Sequence, residues 1–533
     1  ALAEQFSLPF YATIDADLDR EALRELPIDL FKDGKCFPLS GDGETLRLAV
    51  GDPLDLDCVL SVGLASGLAV QTVLTTPSEM KRIRDRFFAQ DSLVKQSVGK
   101  ISREYEKRLQ PELSDLSVED VRKSSESEPV VRLVSLIFDE AIRQRASDIH
   151  IEPSDDNALV RYRIDGMLTQ HMELAYRMYL PVTSRIKILA DLDIAEKRVP
   201  QDGRIRYRTH GAEYDFRVST LPTHHGEKTV IRLLEHDLAL LDINNLGMPK
   251  QELADLQDLI EKPQGMIFVT GPTGSGKSST LFACLNRIRT KAINITTIEN
   301  PVEYKLPGIN QVQINEKAGV TFATTLRSIL RQDPDVILVG EIRDGETAQI
   351  ATQASQTGHL VFSTLHTNDA VSAITRLRDL GIPGFLISSS LLAILAQRLV
   401  RLLCPACKER GEVPGEVRAR WTAVLGSIPL PEGYRAKGCD ACNGRGYRGR
   451  HGIFELVKVN ETVRDMIADN ASEARLRQAL RELGMKSLIT NGVEKIAQGL
   501  TTPEELLRVV LVDDVIGMRN GNGDVSPNAE SGV

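Results

Sequence analysis

The segment from Gly271 to Ser278 carries the most specific chemistry in the chain. It reads Gly-Pro-Thr-Gly-Ser-Gly-Lys-Ser, follows an apolar run and precedes a helical pattern, which is the context of a phosphate-binding loop. In such a loop backbone N–H groups converge on phosphate oxygens, Lys277 offers a cation to the β- and γ-phosphates, and the Ser278 hydroxyl can ligate Mg²⁺. The predicted nucleotide-binding residues are Gly271, Pro272, Thr273, Gly274, Ser275, Gly276, Lys277, Ser278 and Ser279.

Two acidic clusters bear on whether a bound nucleotide would be hydrolysed. Glu341 follows the apolar run 336–339, and a carboxylate at such a strand end can position or deprotonate the attacking water. Glu299 and Glu303 follow another predicted strand and are candidates for contact with the metal and the γ-phosphate. Beside an intact phosphate loop, these acids predict nucleotide hydrolysis assisted by Mg²⁺.

Four of the seven cysteines form two C-x-x-C pairs, Cys404 with Cys407 and Cys439 with Cys442. In a reducing compartment this spacing favours a metal over disulfides. Four thiolates suit tetrahedral Zn²⁺ and leave no open coordination position, so the expectation is a structural zinc lobe at about 400–450. The other cysteines are scattered: Cys36, Cys58 and Cys284.

The length of the chain and its hydrophobic periodicity predict the domains that position these residues. A chain of 533 residues favours three or four domains. Apolar strands alternate with helical stretches between 250 and 400, which predicts a doubly wound α/β sheet beneath the phosphate loop. The predicted segments are a small α/β domain at 1–90, a charged linker at 91–128, a second α/β domain at 129–244, the nucleotide domain with its zinc lobe at 245–518, and a disordered tail at 519–533.

Composition narrows the class of protein. Hydrophobic residues make up 42% and charged residues 26%, as in ordinary globular chains. The longest mostly apolar stretch, 385–396, is far shorter than the roughly 20 residues that cross a bilayer. The first residues lack the basic start and apolar run of a signal peptide, so the sequence predicts a cytosolic protein.

The net charge and its distribution along the chain indicate which binding partners to expect. The formal net charge of −9 disfavours wholesale polyanion binding, and no nucleic acid partner is expected. Residues 391–450 nevertheless carry a charge of +6. This basic segment makes acidic phospholipid a candidate partner.

Four segments in sequence order resemble the secretion ATPases of the type II secretion and type IV pilus assembly class. The phosphate loop, 299–303, 335–344 and 357–368 are similar to that family's Walker A, Asp box, Walker B and His box. The resemblance covers nearly the whole chain. It implies a multidomain α/β P-loop NTPase that binds ATP, with a RecA-like motor domain, a preceding PAS-like domain, an N-terminal docking domain and a small zinc lobe.

The resemblance also implies roles for four further side chains. Arg204 and Arg217 look like the arginines that reach the nucleotide when the second domain closes, where a planar cation can follow the charge on the γ-phosphate. His359 and His366 resemble sensors of the γ-phosphate or of the neighbouring subunit. One departure is Asn300, since the family's second box usually reads Glu-Asp-Pro; a metal role for that middle position is weakened.

The family's biology supplies the remaining expectations. The resemblance implies a homo-hexamer in the cytoplasm, peripheral on the inner membrane. Residues 1–90 would dock on the cytoplasmic domain of an inner-membrane secretion protein, and the hexamer would act on a membrane platform protein. The runs 387–392 and 396–401 look more like the type II secretion branch, so powered protein secretion is the predicted function. The alternatives are a type IV pilus assembly ATPase, a nucleic-acid translocase and a nonenzymatic scaffold.

Overall fold

The fold is taken from a computed structural model. It describes residues 3, 6, 8–11, 31, 35–41, 45–80, 101, 118–209, 211–234, 242–426 and 428–510. Most of the predicted 91–128 linker and all of the predicted 519–533 tail lie outside these residues. The chain divides into two compact units. The first comprises Ala1–Tyr162, Thr169–Ile205 and Arg217–Ile231, and the second Arg163–Leu168, Arg206–Phe216 and Arg232–Val533.

Within the described residues, the N-terminal part of the first unit contains a four-stranded sheet and a helix. The elements are β1 (Phe10–Tyr11), β2 (Cys36–Gly41), β3 (Thr45–Val50), α1 (Leu56–Ser66) and β4 (Ala69–Thr75). The strand order is β1-β4-β3-β2, with β3 parallel to β4 and antiparallel to β2. A disulfide joins Cys36 on β2 to Cys58 on α1, a pairing that the scattered positions of these cysteines do not predict.

The second sheet of the chain has six strands in the order β7-β6-β5-β10-β9-β8. Its elements are α2 (Val118–Ser125), α3 (Glu128–Arg143), β5 (Ala146–Pro153), β6 (Asn157–Ile164), β7 (Met167–Ala175), α4 (Tyr176–Leu189), β8 (Gln201–Thr209), β9 (Ala212–Thr223) and β10 (Gly226–Leu234). Pro129 lies in the first turn of α3. Backbone N–H groups there have no partner within the helix, so proline loses no hydrogen bond. Buried side chains alternate along β6, as in a sheet that packs one face on a core.

The second unit contains a seven-stranded sheet in the order β13-β12-β14-β15-β11-β16-β19. Its first elements are α5 (Lys250–Ile260), β11 (Gly265–Thr270), α6 (Lys277–Ile288), β12 (Ile295–Glu299), β13 (Asn310–Gln313), α7 (Phe322–Ile329), β14 (Val336–Val339), α8 (Gly345–Gln356), β15 (Leu360–Leu365), α9 (Ala370–Asp379) and α10 (Gly384–Ser390). All pairings are parallel except β16 with β19. Strands β11, β14 and β15 are buried throughout, because helices cover both faces of a doubly wound sheet.

The remaining elements complete that sheet and add the cysteine-bearing lobe. They are β16 (Leu391–Leu403), β17 (Lys408–Gly411), α11 (Gly415–Leu425), β18 (Gly433–Ala436), β19 (Tyr447–Lys458), α12 (Glu461–Ala468), α13 (Glu473–Glu482), α14 (Leu488–Ala497) and α15 (Pro503–Val509). The apolar stretch 385–396 is divided between α10 and β16. Among the described helices, none combines the length and the hydropathy that a bilayer crossing requires.

Candidate functional site

The phosphate loop lies between the end of β11 and the start of α6, as the sequence predicts. Gly271 and Gly276 both have positive φ, 146° and 88°, and a Cβ at either position would lie within 3 Å of Gln397. Only glycine therefore fits both turns. The Ser275 hydroxyl is buried and has no hydrogen-bond partner among the described residues.

Lys277 is folded back onto this loop and faces two carboxylates. Its Nζ donates to the carbonyl oxygens of Gly271 at 2.8 Å and Pro272 at 3.1 Å. Burial lowers the pKa of Lys277, while the charges of Glu341 and Glu303 oppose that shift. The residues of the Walker A, Walker B and Asp-box segments are therefore brought together at one edge of the sheet.

Glu341 lies beyond the end of β14. Its carboxylate contacts Arg343 at 2.6 Å and Nε2 of His366 at 3.6 Å. Burial lowers the pKa of His366, and the charge of Lys277 lowers it further, while Glu341 opposes both effects. Glu341 is thus a mostly buried carboxylate between a lysine and a histidine, which is suited to orienting water.

Other acids of the two clusters have structural partners. Glu299 is 4% exposed and accepts hydrogen bonds from Thr297 at 2.6 Å and Gln311 at 3.0 Å. Asp344 caps α8 through the Thr347 N–H at 2.8 Å. These hydrogen bonds fix the backbone that carries Glu303 and Glu341.

The two histidines lie at opposite ends of β15. His366 follows the strand at the phosphate-loop edge, because Thr270 pairs with Leu365. His359 precedes the strand, and its ring nitrogen Nδ1 lies 2.9 Å from the carbonyl oxygen of Ala354. The structure therefore brings His366, but not His359, to the loop of its own chain.

A threonine pair that the sequence does not single out joins β11 to the segment after β15. The hydroxyls of Thr270 and Thr367 lie 2.7 Å apart, and the Thr367 N–H donates to Thr270 Oγ1 at 2.9 Å. Thr367 is one residue beyond His366. The contact ties the histidine segment to the last residue before the phosphate loop.

The two predicted arginines lie on neighbouring strands of the six-stranded sheet. Arg204 is exposed on β8, the edge strand, and Arg217 is half-buried on β9. Gly203 cannot take a side chain, because a Cβ there would lie 2.4 Å from the Ala190 carbonyl oxygen. Both arginines belong to the first unit and the phosphate loop to the second, so their role at the nucleotide stays a prediction.

The four cysteines of the lobe come together as the spacing predicts. Their sulfur atoms all lie within 4.8 Å of one another, and the pairs Cys404–Cys439, Cys407–Cys442 and Cys439–Cys442 are each separated by 3.8 Å. A tetrahedron with Zn–S bonds of about 2.3 Å has edges of about 3.8 Å. Donor set and spacing therefore fit Zn²⁺.

The basic segment 391–450 uses several of its cations internally. Arg398 is 3% exposed, Arg401 binds Glu505 at 2.8 Å, and Lys408 donates to the carbonyl oxygen of Gly499 at 2.9 Å. The charge of +6 is consequently not all available at the surface. Acidic phospholipid remains a candidate partner for the other cations.

A phosphate loop between a central parallel strand and a helix, with an acid at the end of a nearby strand, defines a P-loop nucleoside triphosphatase. Within that class, the Type II/IV secretion system protein family model matches residues 123–508, and the chain belongs to this family. The MshEN domain model matches residues 6–92, in the region predicted as a separate N-terminal domain. The predicted α/β fold class and the predicted secretion ATPase family are confirmed, and the chain is an ATP-hydrolysing enzyme of that family.

Relatives of both predicted branches are matched. The type II secretion system protein E of Pseudomonas aeruginosa is 50% identical over 393 residues, 73% of this chain and 77% of the relative. The type IV pilus assembly ATPase PilB of Myxococcus xanthus is 40% identical over 512 residues, 95% of this chain and 89% of the relative. Among solved structures, the Legionella pneumophila ATPase DotB is 20% identical with a TM-score of 0.52, covering 71% of this chain and 95% of that one, which shows the fold alone.

Proposed function

We propose that this chain powers protein secretion through a type II system by hydrolysing ATP with Mg²⁺ at the phosphate loop. The observation that carries the proposal is that the phosphate loop, Glu341 and His366 follow the ends of neighbouring parallel strands, with Nε2 of His366 3.6 Å from the Glu341 carboxylate. The charges of Glu341 and Glu303 also oppose the effect of burial on the pKa of Lys277. Lys277 would leave the loop carbonyls for the β- and γ-phosphates, and the Ser278 hydroxyl would ligate Mg²⁺. Glu341 would orient the attacking water and accept its proton.

Glu303 and Glu299 have different proposed roles. Glu303 faces Lys277 electrostatically and is the stronger candidate for the metal and γ-phosphate. The carboxylate of Glu299 accepts bonds from Thr297 and Gln311, so it would hold the turn that presents Glu303. Asn300 between them has no carboxylate to offer a metal.

The arginines and the subunit assembly belong to one proposal. Arg204 and Arg217 would reach the γ-phosphate when the domain that carries them closes, within a ring of six chains. Guanidinium groups suit the spread charge of the transition state. His359, which lies far from the loop of its own chain, would sense a neighbouring subunit. If Arg204→Ala and Arg217→Ala both leave turnover of the assembled protein unchanged, this part fails.

The four cysteines would hold one structural Zn²⁺ ion. The site supplies four sulfur ligands and no open position for substrate, and Cys442 Sγ accepts N–H bonds from Cys439 and Gly446 at 3.2 Å. The metal would supply folding free energy to the lobe rather than chemistry to hydrolysis.

For partners, we propose that residues 1–90 dock on the cytoplasmic domain of an inner-membrane secretion protein and that the ring acts on a membrane platform protein. The enzyme would then lie in the cytoplasm, peripheral on the inner membrane. Identity of 50% to relatives named for type II secretion supports this branch. The second candidate is pilus assembly, favoured by a PilB relative that aligns over 95% of the chain.

One experiment tests the assignment. ATP turnover of the full chain is measured as a function of oligomeric state, alone, with acidic liposomes, with DNA, and with the cytoplasmic domains of candidate secretion and pilus membrane proteins. Stimulation by the secretion partner in the hexamer supports the proposal. Stimulation by the pilus partner alone selects the second candidate, and strong salt-sensitive stimulation by DNA would select a nucleic-acid translocase.

A further inference from the structure

Gln397 lies on β16 directly beside the phosphate loop. Strand β16 pairs with β11 on one side and with β19 on the other, where Gln397 is opposite Phe454. Because a strand with two partners has little freedom, the position of this side chain is fixed by the sheet. Gln397 is a polar residue that is only 2% exposed and lies in the interior of the nucleotide domain.

The residue meets the loop at three successive points. A Cβ on Gly271 would come within 2.3 Å of the Gln397 carbonyl oxygen, and a Cβ on Gly276 would come within 2.8 Å of its Nε2. Thr280 in the first turns of α6 donates from Oγ1 to Gln397 Oε1 at 2.7 Å. Gln397 therefore contacts three parts of this region with its side chain and backbone. They are the beginning of the loop, the residue before Lys277 and the helix that follows.

The opposite face of the same strand is anchored as well. The Arg398 guanidinium donates to the carbonyl oxygen of Asn368 at 3.1 Å and to that of Val509. Since side chains alternate along a strand, Gln397 contacts the loop while its neighbour Arg398 holds the end of helix α15. Further along the strand, Arg401 binds Glu505 of the same helix through two nitrogens. The strand is a rigid support rather than a mobile edge.

We propose that Gln397, through its bond to Thr280, is a positioning residue that keeps the phosphate loop in its nucleotide-ready conformation. The inference rests on the proposed site at Lys277. A loop that is only partly in the binding conformation binds with an affinity reduced by that fraction. Loss of the bond should therefore weaken nucleotide binding without changing the rate once nucleotide is bound.

The test uses Gln397→Met and Thr280→Val, which keep volume and remove the bond, and the double variant. For each single variant we expect the Kd for ATP to rise about five- to tenfold, with kcat at saturating ATP within about twofold of wild type. The double variant should be no weaker than either single variant, since both remove the same bond. Thr280→Ser, which retains the hydroxyl, should restore the wild-type Kd.

Thr352→Val is the matched control. Thr352 is a buried threonine on α8 whose hydroxyl donates to Ala348 at 2.8 Å, away from the loop. Thr352→Val should leave the Kd for ATP unchanged. If Gln397→Met and Thr280→Val bind ATP within twofold of wild type, the positioning role is wrong; if Lys277→Ala still binds ATP as wild type does, the proposed site itself is wrong.

Discussion

Nε2 of His366 lies 3.6 Å from Oε2 of Glu341. The two residues follow β15 and β14, which pair in parallel as far as Val339 and Ser363. The carboxyl ends of neighbouring parallel strands meet at one sheet edge, so the proposed water-activating acid and the proposed sensor are held together by the sheet. The protonation state of His366 then decides whether Glu341 has a cationic neighbour on that side.

This arrangement predicts an acid limb in the pH profile. Burial and the charge of Lys277 lower the pKa of His366 below its ordinary 6.5, so the ring is neutral near pH 7. As pH falls below that lowered pKa, the ring gains a proton and becomes a second cationic neighbour of Glu341 beside Arg343, so the carboxylate is less able to accept a proton from water. Turnover should fall about tenfold for each pH unit below the pKa.

The measurement is kcat from pH 5 to 8 for wild type and for His366→Gln, which cannot take a proton. The variant should have the flatter acid limb. An unchanged acid limb in the variant would assign the titration to another group.

Glu341→Gln should separate binding from hydrolysis. The amide keeps the shape of the side chain but cannot accept a proton, so hydrolysis should fall by about 10²–10⁴-fold, while ATP binding stays within a few fold. Single-turnover hydrolysis and nucleotide titration measure the two. Glu346→Gln is the control, because Glu346 is exposed and pairs only at the surface with Arg327 at 2.6 Å; normal turnover in Glu341→Gln would remove Glu341 from the mechanism.

Local patterns were enough to predict the scaffold of this site. The strand before Gly271, the helix after the phosphate loop and the strand before Glu341 are each predicted from consecutive residues, and the structure has all three. Each C-x-x-C pair is also local, and two such pairs in one chain are typical of a four-sulfur Zn²⁺ site, so their meeting could be predicted.

Contacts between distant segments could not be predicted in this way. Thr270 and Thr367 are 97 residues apart, and Thr280 and Gln397 are 117 apart; only the parallel sheet makes them neighbours. The same limit applies to Glu299, whose sequence position suggests a metal ligand and whose contacts with Thr297 and Gln311 are visible only in the fold. Side-chain orientation at a strand end is a tertiary property.

Zinc content is the direct check on the cysteine lobe. The folded, reduced protein should contain about one Zn²⁺ per chain, and Cys442→Ser should lose it. The melting temperature should fall by about 5 °C or more, since about 2 kcal/mol moves the midpoint of a 150–250-residue domain by about 4–8 °C. Cys284→Ala, at a buried cysteine outside the lobe, should keep the metal; a folded wild type without metal would refute the site.

Glu455 gives a prediction about stability. It lies on β19 and accepts a hydrogen bond from the Ala370 N–H at 3.0 Å, beside the ion pair of Asp369 and Arg477 at 2.8 Å. Burial raises the pKa of Glu455 from 4.5 to about 7, and the charge of Asp369 adds to the shift. The native protein therefore holds a proton that the unfolded chain releases above pH 4.5.

The sign of the effect follows from proton linkage. Between pH 4.5 and about 7 the native state binds more protons than the unfolded state, so the free energy of unfolding decreases as pH rises through this window and is constant above it. The size is on the order of a few kcal/mol, at about 1.4 kcal/mol per pKa unit. Glu455→Gln keeps an acceptor for Ala370 and has no proton to lose.

Urea unfolding from pH 5 to 8 measures the difference between wild type and variant. Glu455→Gln should gain stability relative to wild type as pH rises from 5 to 7, with no further gain from 7 to 8. Glu346→Gln, an exposed substitution away from Asp369 and Arg477, is the control and should have the wild-type slope. A wild-type-like slope in Glu455→Gln would mean that Glu455 is ionised in the native protein at pH 5, with Arg477 shared between it and Asp369.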